Sequence, residues 1–203
     1  MPRVSDFKQV KAYSTIIYPV YQASYGRDVA QAGLIIMTKF LVTGGSGLLG
    51  NNIIRELVEA GHEVSAAVRT SSPREPFQGL NIPVKEVDFE SQKSIDESTQ
   101  GFDAVIHSAG FIWFGWKKLK QSRKVNVDIT ARIAQSCLLN GSRMVHVSSL
   151  DALPIGADKE VVDEEALNEP QRWNEKVPCN YVVSKKEADQ KVKEFISKGL
   201  SAC

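Results

Sequence analysis

Tyr181 and Lys185 stand four residues apart, and the pair Ser148-Ser149 closes an apolar run earlier in the chain. Residues i and i+4 of a helix lie one above the other, so an ammonium there sits beside a phenol and favours its ionised form. A phenol with a reference pKa of about 10 is a poor acid–base group at neutrality, and a neighbouring cation brings it toward the working pH. A serine hydroxyl at an adjacent strand end can orient a carbonyl toward that phenol. The set Ser149, Tyr181 and Lys185 therefore points to proton transfer at a carbonyl or alcohol, with Ser149 preferred over Ser148.

A second constellation supplies a partner for that chemistry. Thr43-Gly44-Gly45-Ser46-Gly47-Leu48-Leu49-Gly50 follows the apolar run Phe40-Leu41-Val42 and precedes a helical pattern. One glycine turns the chain out of the strand, a second lets backbone touch phosphate, and a third lets helix and strand pack closely. Unpaired N–H groups of the helix then face the anion. Gly44, Ser46, Gly47, Leu48, Leu49 and Gly50 are thus expected around a dinucleotide pyrophosphate. In an open parallel sheet the remaining contacts come from residues just past the other strands. Arg69, after the second strand, suits the extra phosphate of NADP where an acidic residue would suit NAD, so NADP is expected and NAD is the alternative. Asp88 and Phe89 end the third strand near the adenine, although Asp88 equally suits a helix cap. Ser108, Ala109 and Gly110 are small residues that let the cofactor pass close to backbone, and Tyr181 and Lys185 face the nicotinamide and its ribose. His107 reads as a structural strand-end residue, and the His, Cys and carboxylate spacings predict no metal site.

These residues need a scaffold with parallel strand ends on one side. Apolar runs at 39–43, 63–68, 83–88, 103–108 and 143–148 alternate with segments long enough for crossovers, which predicts a doubly wound α/β sheet of the Rossmann type. Helices are expected after the glycine loop as far as Gly61, over 126–140, and over 181–198. Residues 150–178 are acidic, proline-bearing and irregular, as expected of a long functional loop. Residues 1–36 hold four of the five tyrosines and precede Met37, so they read as an appended, poorly ordered extension to a dinucleotide-binding domain over 37–203.

Composition bounds the partners. With 25 basic and 24 acidic residues the net charge is +1, so no global field recruits nucleic acid or an anionic membrane. No apolar stretch approaches the roughly 20 residues that span a bilayer. Cys137, Cys179 and Cys203 form neither a disulfide framework nor a metal cluster, which fits a reducing, cytoplasmic setting. Organelle targeting by residues 1–36 is a second, weaker reading of their basic content. Phe111-Ile112-Trp113-Phe114-Gly115-Trp116 reads equally as a substrate mouth and as core or partner-facing aromatics, and Lys117, Lys118, Lys120, Arg123 and Lys124 read as a solvated helix face.

Taken together, Thr43-Gly-x-x-Gly-x-x-Gly50, Asp88, His107-x-Ala109, Asn126, Val147-Ser148-Ser149 and Tyr181-x-x-x-Lys185 resemble the extended short-chain dehydrogenase/reductase family. Val68-Arg69 and Ser148-Ser149-Leu150-Asp151-Ala152-Leu153 look most like its dihydroflavonol-4-reductase-like, NAD-dependent epimerase/dehydratase branch. The resemblance runs from about Lys39 to the C-terminus. It implies Ser149, Tyr181 and Lys185 as the catalytic set, Asn126 as a supporting residue, and a small-molecule carbonyl or alcohol as substrate. Family members continue into a sixth strand and a small substrate domain, so the chain is expected to be a C-terminally incomplete Rossmann domain. An uncovered sheet edge favours association, with a homodimer as one outcome. An NADP-dependent oxidoreductase is the leading expectation. The alternatives are a nucleotide-sugar epimerase or dehydratase holding NAD, and a non-catalytic dinucleotide-binding module.

Overall fold

The computed structural model describes residues 37–153 and 179–203. The expectations for residues 1–36 and for most of the 150–178 loop lie outside the described residues. Five parallel strands, β1 (Lys39–Thr43), β2 (Glu63–Val68), β3 (Val84–Glu86), β4 (Ala104–His107) and β5 (Arg143–His146), form one sheet in the order β3-β2-β1-β4-β5. The helices are α1 (Leu48–Glu59), α2 (Gln92–Thr99), α3 (Leu119–Arg123), α4 (Ile129–Asn140) and α5 (Asn180–Ile196). Every strand pair is parallel; Val42, for instance, is level with Ala66 of β2 and Ile106 of β4.

Strand residues alternate between two apolar faces, as a sheet covered on both sides requires. Phe40, Val42, Ala66, Val68, Ala104 and Ile106 pack with Ile54 and Leu57 of α1 and with Phe77. Leu41, Ala67, Val105 and Met144 point the other way, into a cluster with Ile133, Ala134 and Cys137 of α4 and Val192 of α5. Fully burying each large aliphatic side chain stabilises the fold by about 1.5–3 kcal/mol, so these two layers fix the sheet that carries the site. Burial also pushes the Cys137 thiol up to about 12, which leaves it a packing residue and no nucleophile.

At the outer edge of β5, the N–H of Met144 donates to the Ser201 carbonyl at 2.9 Å, and that of Cys203 donates to the Met144 carbonyl at 3.1 Å. Met144 and Ala202 thus form an isolated parallel bridge beside β5. Three local expectations change. Helical backbone begins at Leu119, before Asn126, and passes through a π-turn over Lys124–Asp128 in which the Ile129 N–H donates to the Lys124 carbonyl. The last helix starts at Asn180. The cap of α2 is Ser91, whose hydroxyl accepts from the Ser94 N–H, while Asp88 Oδ1 accepts from the Glu90 N–H at 2.9 Å in the preceding turn.

Candidate active site

Gly44 leaves β1 at φ +72°, and a methyl group there would lie 2.6 Å from the backbone nitrogen of Ala109. The loop after β1 therefore presses against the loop after β4 without an intervening side chain. A methyl at Gly50 would collide with the Gly44 carbonyl oxygen, so α1 packs directly against the turn that starts it. Asn51 holds that turn from below, donating from Nδ2 to the carbonyls of Gly45 at 3.2 Å and Pro76 at 2.9 Å. At the N-cap, Gly47 supplies no side chain, and the first turn of α1 contains no acidic residue. The opening amides of α1 thus keep the unpaired character that attracts an anion.

A crevice of about 420 Å³ opens above these strand ends. Gly44, Ser46, Gly47 and Arg69 line one part of it, and Phe89, Ser108, Ala109 and Gly110 line another. Leu48, Leu49 and Gly50 lie beside the crevice on α1 without lining it; Leu48 is 86% exposed. Asp88 is exposed and outside the lining, next to Phe89. Sequence reasoning missed Ser72, Gln121 and Val125, which also line the crevice. Ser72 stands three residues beyond Arg69, and its N–H donates to the Arg69 carbonyl at 2.9 Å, a compact turn that the Thr70-Ser71-Ser72 string signals. Arg74 is committed to Glu86, whereas no described side chain pairs with Arg69.

Beneath the crevice His107 is 1% exposed, with Nδ1 2.8 Å from Thr43 Oγ1 and Nε2 2.9 Å from Thr130 Oγ1. Thr130 donates its own proton to the Asn126 carbonyl at 2.7 Å, so it must accept from His107 Nε2. Nδ1 then accepts from Thr43, which assigns the neutral Nε2–H tautomer. Burial first, then His146 and Lys185, hold this histidine well below its ordinary value. It is a structural strut, as the sequence indicates.

Asn126 sits in the π-turn, 2% exposed. Its Oδ1 accepts from the Phe111 N–H at 2.7 Å; its Nδ2 donates to the Phe111 carbonyl and to Ser184 Oγ, each at 2.9 Å. One amide therefore joins the crevice wall to α5. The start of α5 has two further ties: Ser122 Oγ to Asn180 Oδ1 at 3.0 Å, and the Asn180 N–H to the Gly115 carbonyl at 3.2 Å. Tyr181 is half-buried between these anchors, its ring edge-on to Phe114 at 6.0 Å.

Lys185 is 6% exposed, and its Nζ donates to the Val147 carbonyl at 2.7 Å. Burial pushes it below its usual range, and Asp189 pulls it partly back. The two serines separate in role. Ser148 Oγ donates to Asp189 Oδ2 at 2.7 Å, whereas Ser149 Oγ accepts from the Asp151 N–H at 3.2 Å and caps the turn Leu150–Ala152. Ser149, Tyr181 and Lys185 come from the end of β5 and the start of α5. None of the three lines the crevice, which reaches them through Phe111, Asn126 and Ser184. Among the described residues no group of His, Cys and carboxylate side chains could hold a metal, and no helix is long and apolar enough to cross a membrane.

Comparison with known proteins agrees with this fold. The model of the NAD dependent epimerase/dehydratase family matches residues 40–203. The chain is 32% identical over 126 residues to a putative dihydroflavonol 4-reductase of Synechocystis sp., covering 62% of this chain and 36% of that one. It is 28% identical over 169 residues to vestitone reductase of Medicago sativa, covering 76% and 52%. The solved structure of gox2253 superposes with a TM-score of 0.69 at 26% identity, covering 81% of this chain and 49% of the other. The chain thus spans about a third to half of the length of these relatives. With the glycine turn, the 3-2-1-4-5 sheet and the family match over residues 40–203, the chain belongs to the NAD dependent epimerase/dehydratase family, within the extended short-chain dehydrogenases/reductases.

Proposed function

We propose that the protein is an NADP-dependent oxidoreductase acting between a carbonyl and a secondary alcohol, with Ser149, Tyr181 and Lys185 as its proton-transfer set. The observation that carries this reading is the joint fixing of Tyr181 and Lys185 on α5 against the crevice wall, through Asn126 and Ser184. The side-chain-free approach of Gly44 to Ala109 and the uncapped start of α1 suit a pyrophosphate. Arg69 and Ser72 are the groups that would hold a ribose phosphate, and Arg69, with no partner among the described side chains, contrasts with the paired Arg74.

When bound, the nicotinamide supplies or accepts the hydride. The chain's own residues handle the proton and the oxygen. Tyr181 donates a proton to the carbonyl oxygen during reduction and takes it back during oxidation. Lys185, held at the Val147 carbonyl one helical turn from Tyr181, supplies the cation on the same face of α5. Ser149, whose hydroxyl donates to Asp151 Oδ2 only at 3.4 Å whereas Ser148 is held by Asp189 at 2.7 Å, hydrogen-bonds the substrate oxygen. Asn126 braces the helix start. The likeness to proteins named dihydroflavonol 4-reductase and vestitone reductase supports reduction over nucleotide-sugar epimerisation, as does Arg69 in place of an acidic residue. The test is cofactor titration paired with Tyr181→Phe: NADPH binding persists in the variant while turnover disappears, and equal loss of both overturns the role given to Tyr181.

A further inference from the structure

Tyr181, Lys185 and Asp189 recur every four residues along α5, which places them on one face of the helix. The third member has no part in the chemistry above, yet it is largely inside the protein, with its side chain 11% exposed. Its Oδ2 accepts from Ser148 Oγ at 2.7 Å, and its Oδ1 lies 3.2 Å from His146 Nε2 without the alignment of a hydrogen bond. Through Ser148 it grips the strand end that carries Ser149, and that same segment supplies the Val147 carbonyl to Lys185. We infer that Asp189 is a positioning residue that, through Ser148, fixes the Ser148-Ser149 strand end and sets a carboxylate on the Lys185 face of α5.

The physical need is clear from burial. An ammonium that is 6% exposed and bonded to one carbonyl has lost most of its hydration. Other groups around it give little help. His107 and His146, from β4 and β5, stack at 5.7 Å, and His107 is held neutral between two threonines. Arg123 of α3 and Glu187 of α5 are spent on each other, and Asp151 is engaged with Ser149. Lys186 adds like charge on the same helix. Among the described residues Asp189 is thus the carboxylate left to oppose the desolvation of Lys185, and its attraction acts in that direction. A neutral amine at residue 185 would put no cation on the helix face that carries Tyr181, so Asp189 acts on the site through Lys185.

This inference rests on the proposed role of Lys185, but its test needs no turnover. The full chain is labelled with 13Cε-lysine, the Lys185 resonance is assigned with Lys185→Met, and its titration is followed by NMR. Asp189→Asn should lower the Lys185 midpoint by about one pH unit or more, and Asp189→Glu should restore most of it. An unchanged midpoint in folded Asp189→Asn overturns the inference. If Asp189→Asn does not fold, Asp189→Ser is titrated in its place: a lowered Lys185 midpoint supports the inference and an unchanged one overturns it. A failed assignment of Lys185 to catalysis would show as full turnover in Lys185→Met, a separate outcome from either titration.

Discussion

Lys185 Nζ donates to the Val147 carbonyl at 2.7 Å, tying the middle of one helix face to the two residues that follow β5. That single bond brings the cation of the candidate site to the strand end bearing Ser149. It also explains why a buried lysine is tolerated there, since the carbonyl satisfies one of its donors.

The two serines should separate in experiment. Ser149→Ala should lower kcat in any form of the protein that turns over by on the order of 10²-fold, with little loss of stability. Ser148→Ala should lower kcat less than Ser149→Ala does, through the loosened strand end, and lose about 1 kcal/mol in urea unfolding, because Asp189 Oδ2 is left without its hydroxyl. Steady-state kinetics on both variants, set against unfolding curves, check this; the reverse pattern would reassign the substrate-orienting hydroxyl to Ser148.

Arg69→Ala should weaken NADPH binding by about 10- to 100-fold, the loss of one or two charge-assisted hydrogen bonds, while leaving NADH within about threefold. Arg74→Ala should change neither by much, because that guanidinium already pairs with Glu86 on an exposed surface. Calorimetric titration of both nucleotides into both variants decides it, and an unchanged NADPH preference in Arg69→Ala removes the phosphate assignment.

Gly44→Ala should destabilise the fold by about 1–3 kcal/mol, since it combines a left-handed backbone with a collision against Ala109. Gly61→Ala has a similar φ of +83° but open space around the added methyl, so it should cost only about 1 kcal/mol. Paired urea denaturations measure the difference, which is the energetic signature of the close approach after β1.

Stability should fall on mild acidification through His107. Its value in the fold lies well below 6.5 because of burial, whereas in the unfolded chain it titrates near its ordinary value. Above that value both states are neutral and no dependence arises. As pH falls below it, the unfolded chain takes up a proton that the fold refuses, so stability drops by up to about 1.4 kcal/mol per pH unit. Urea unfolding at pH 7.5, 6.5 and 5.5 should show the parent losing more than His107→Gln; parallel slopes would mean that this histidine is charged in the fold.

The sheet was legible because its signal is local. Each of the five apolar runs carries the two-faced pattern seen in β1, where Val42 and Leu41 serve opposite layers. The glycine turn was equally legible, since φ +72° at Gly44 and the missing methyls at Gly44 and Gly50 are properties of residue type. What sequence alone did not reveal depends on contacts made at long range. The π-turn at Lys124–Asp128 has no compositional mark, and it is fixed by Asn126 reaching Phe111 and Ser184, 15 and 58 residues away. Ser148 and Asp189 are 41 residues apart, so nothing local distinguishes the two serines, although the Tyr-x-x-x-Lys-x-x-x-Asp spacing on α5 was available to be read.

The most direct measurement is NADPH fluorescence titrated into the folded protein and into folded Gly44→Ala. If the turn after β1 and the start of α1 form a dinucleotide cradle beside Tyr181, the parent gives a saturable one-to-one signal and the variant binds at least tenfold more weakly. A parent that is folded yet shows no saturable signal, or a variant that binds as tightly as the parent, would contradict the account.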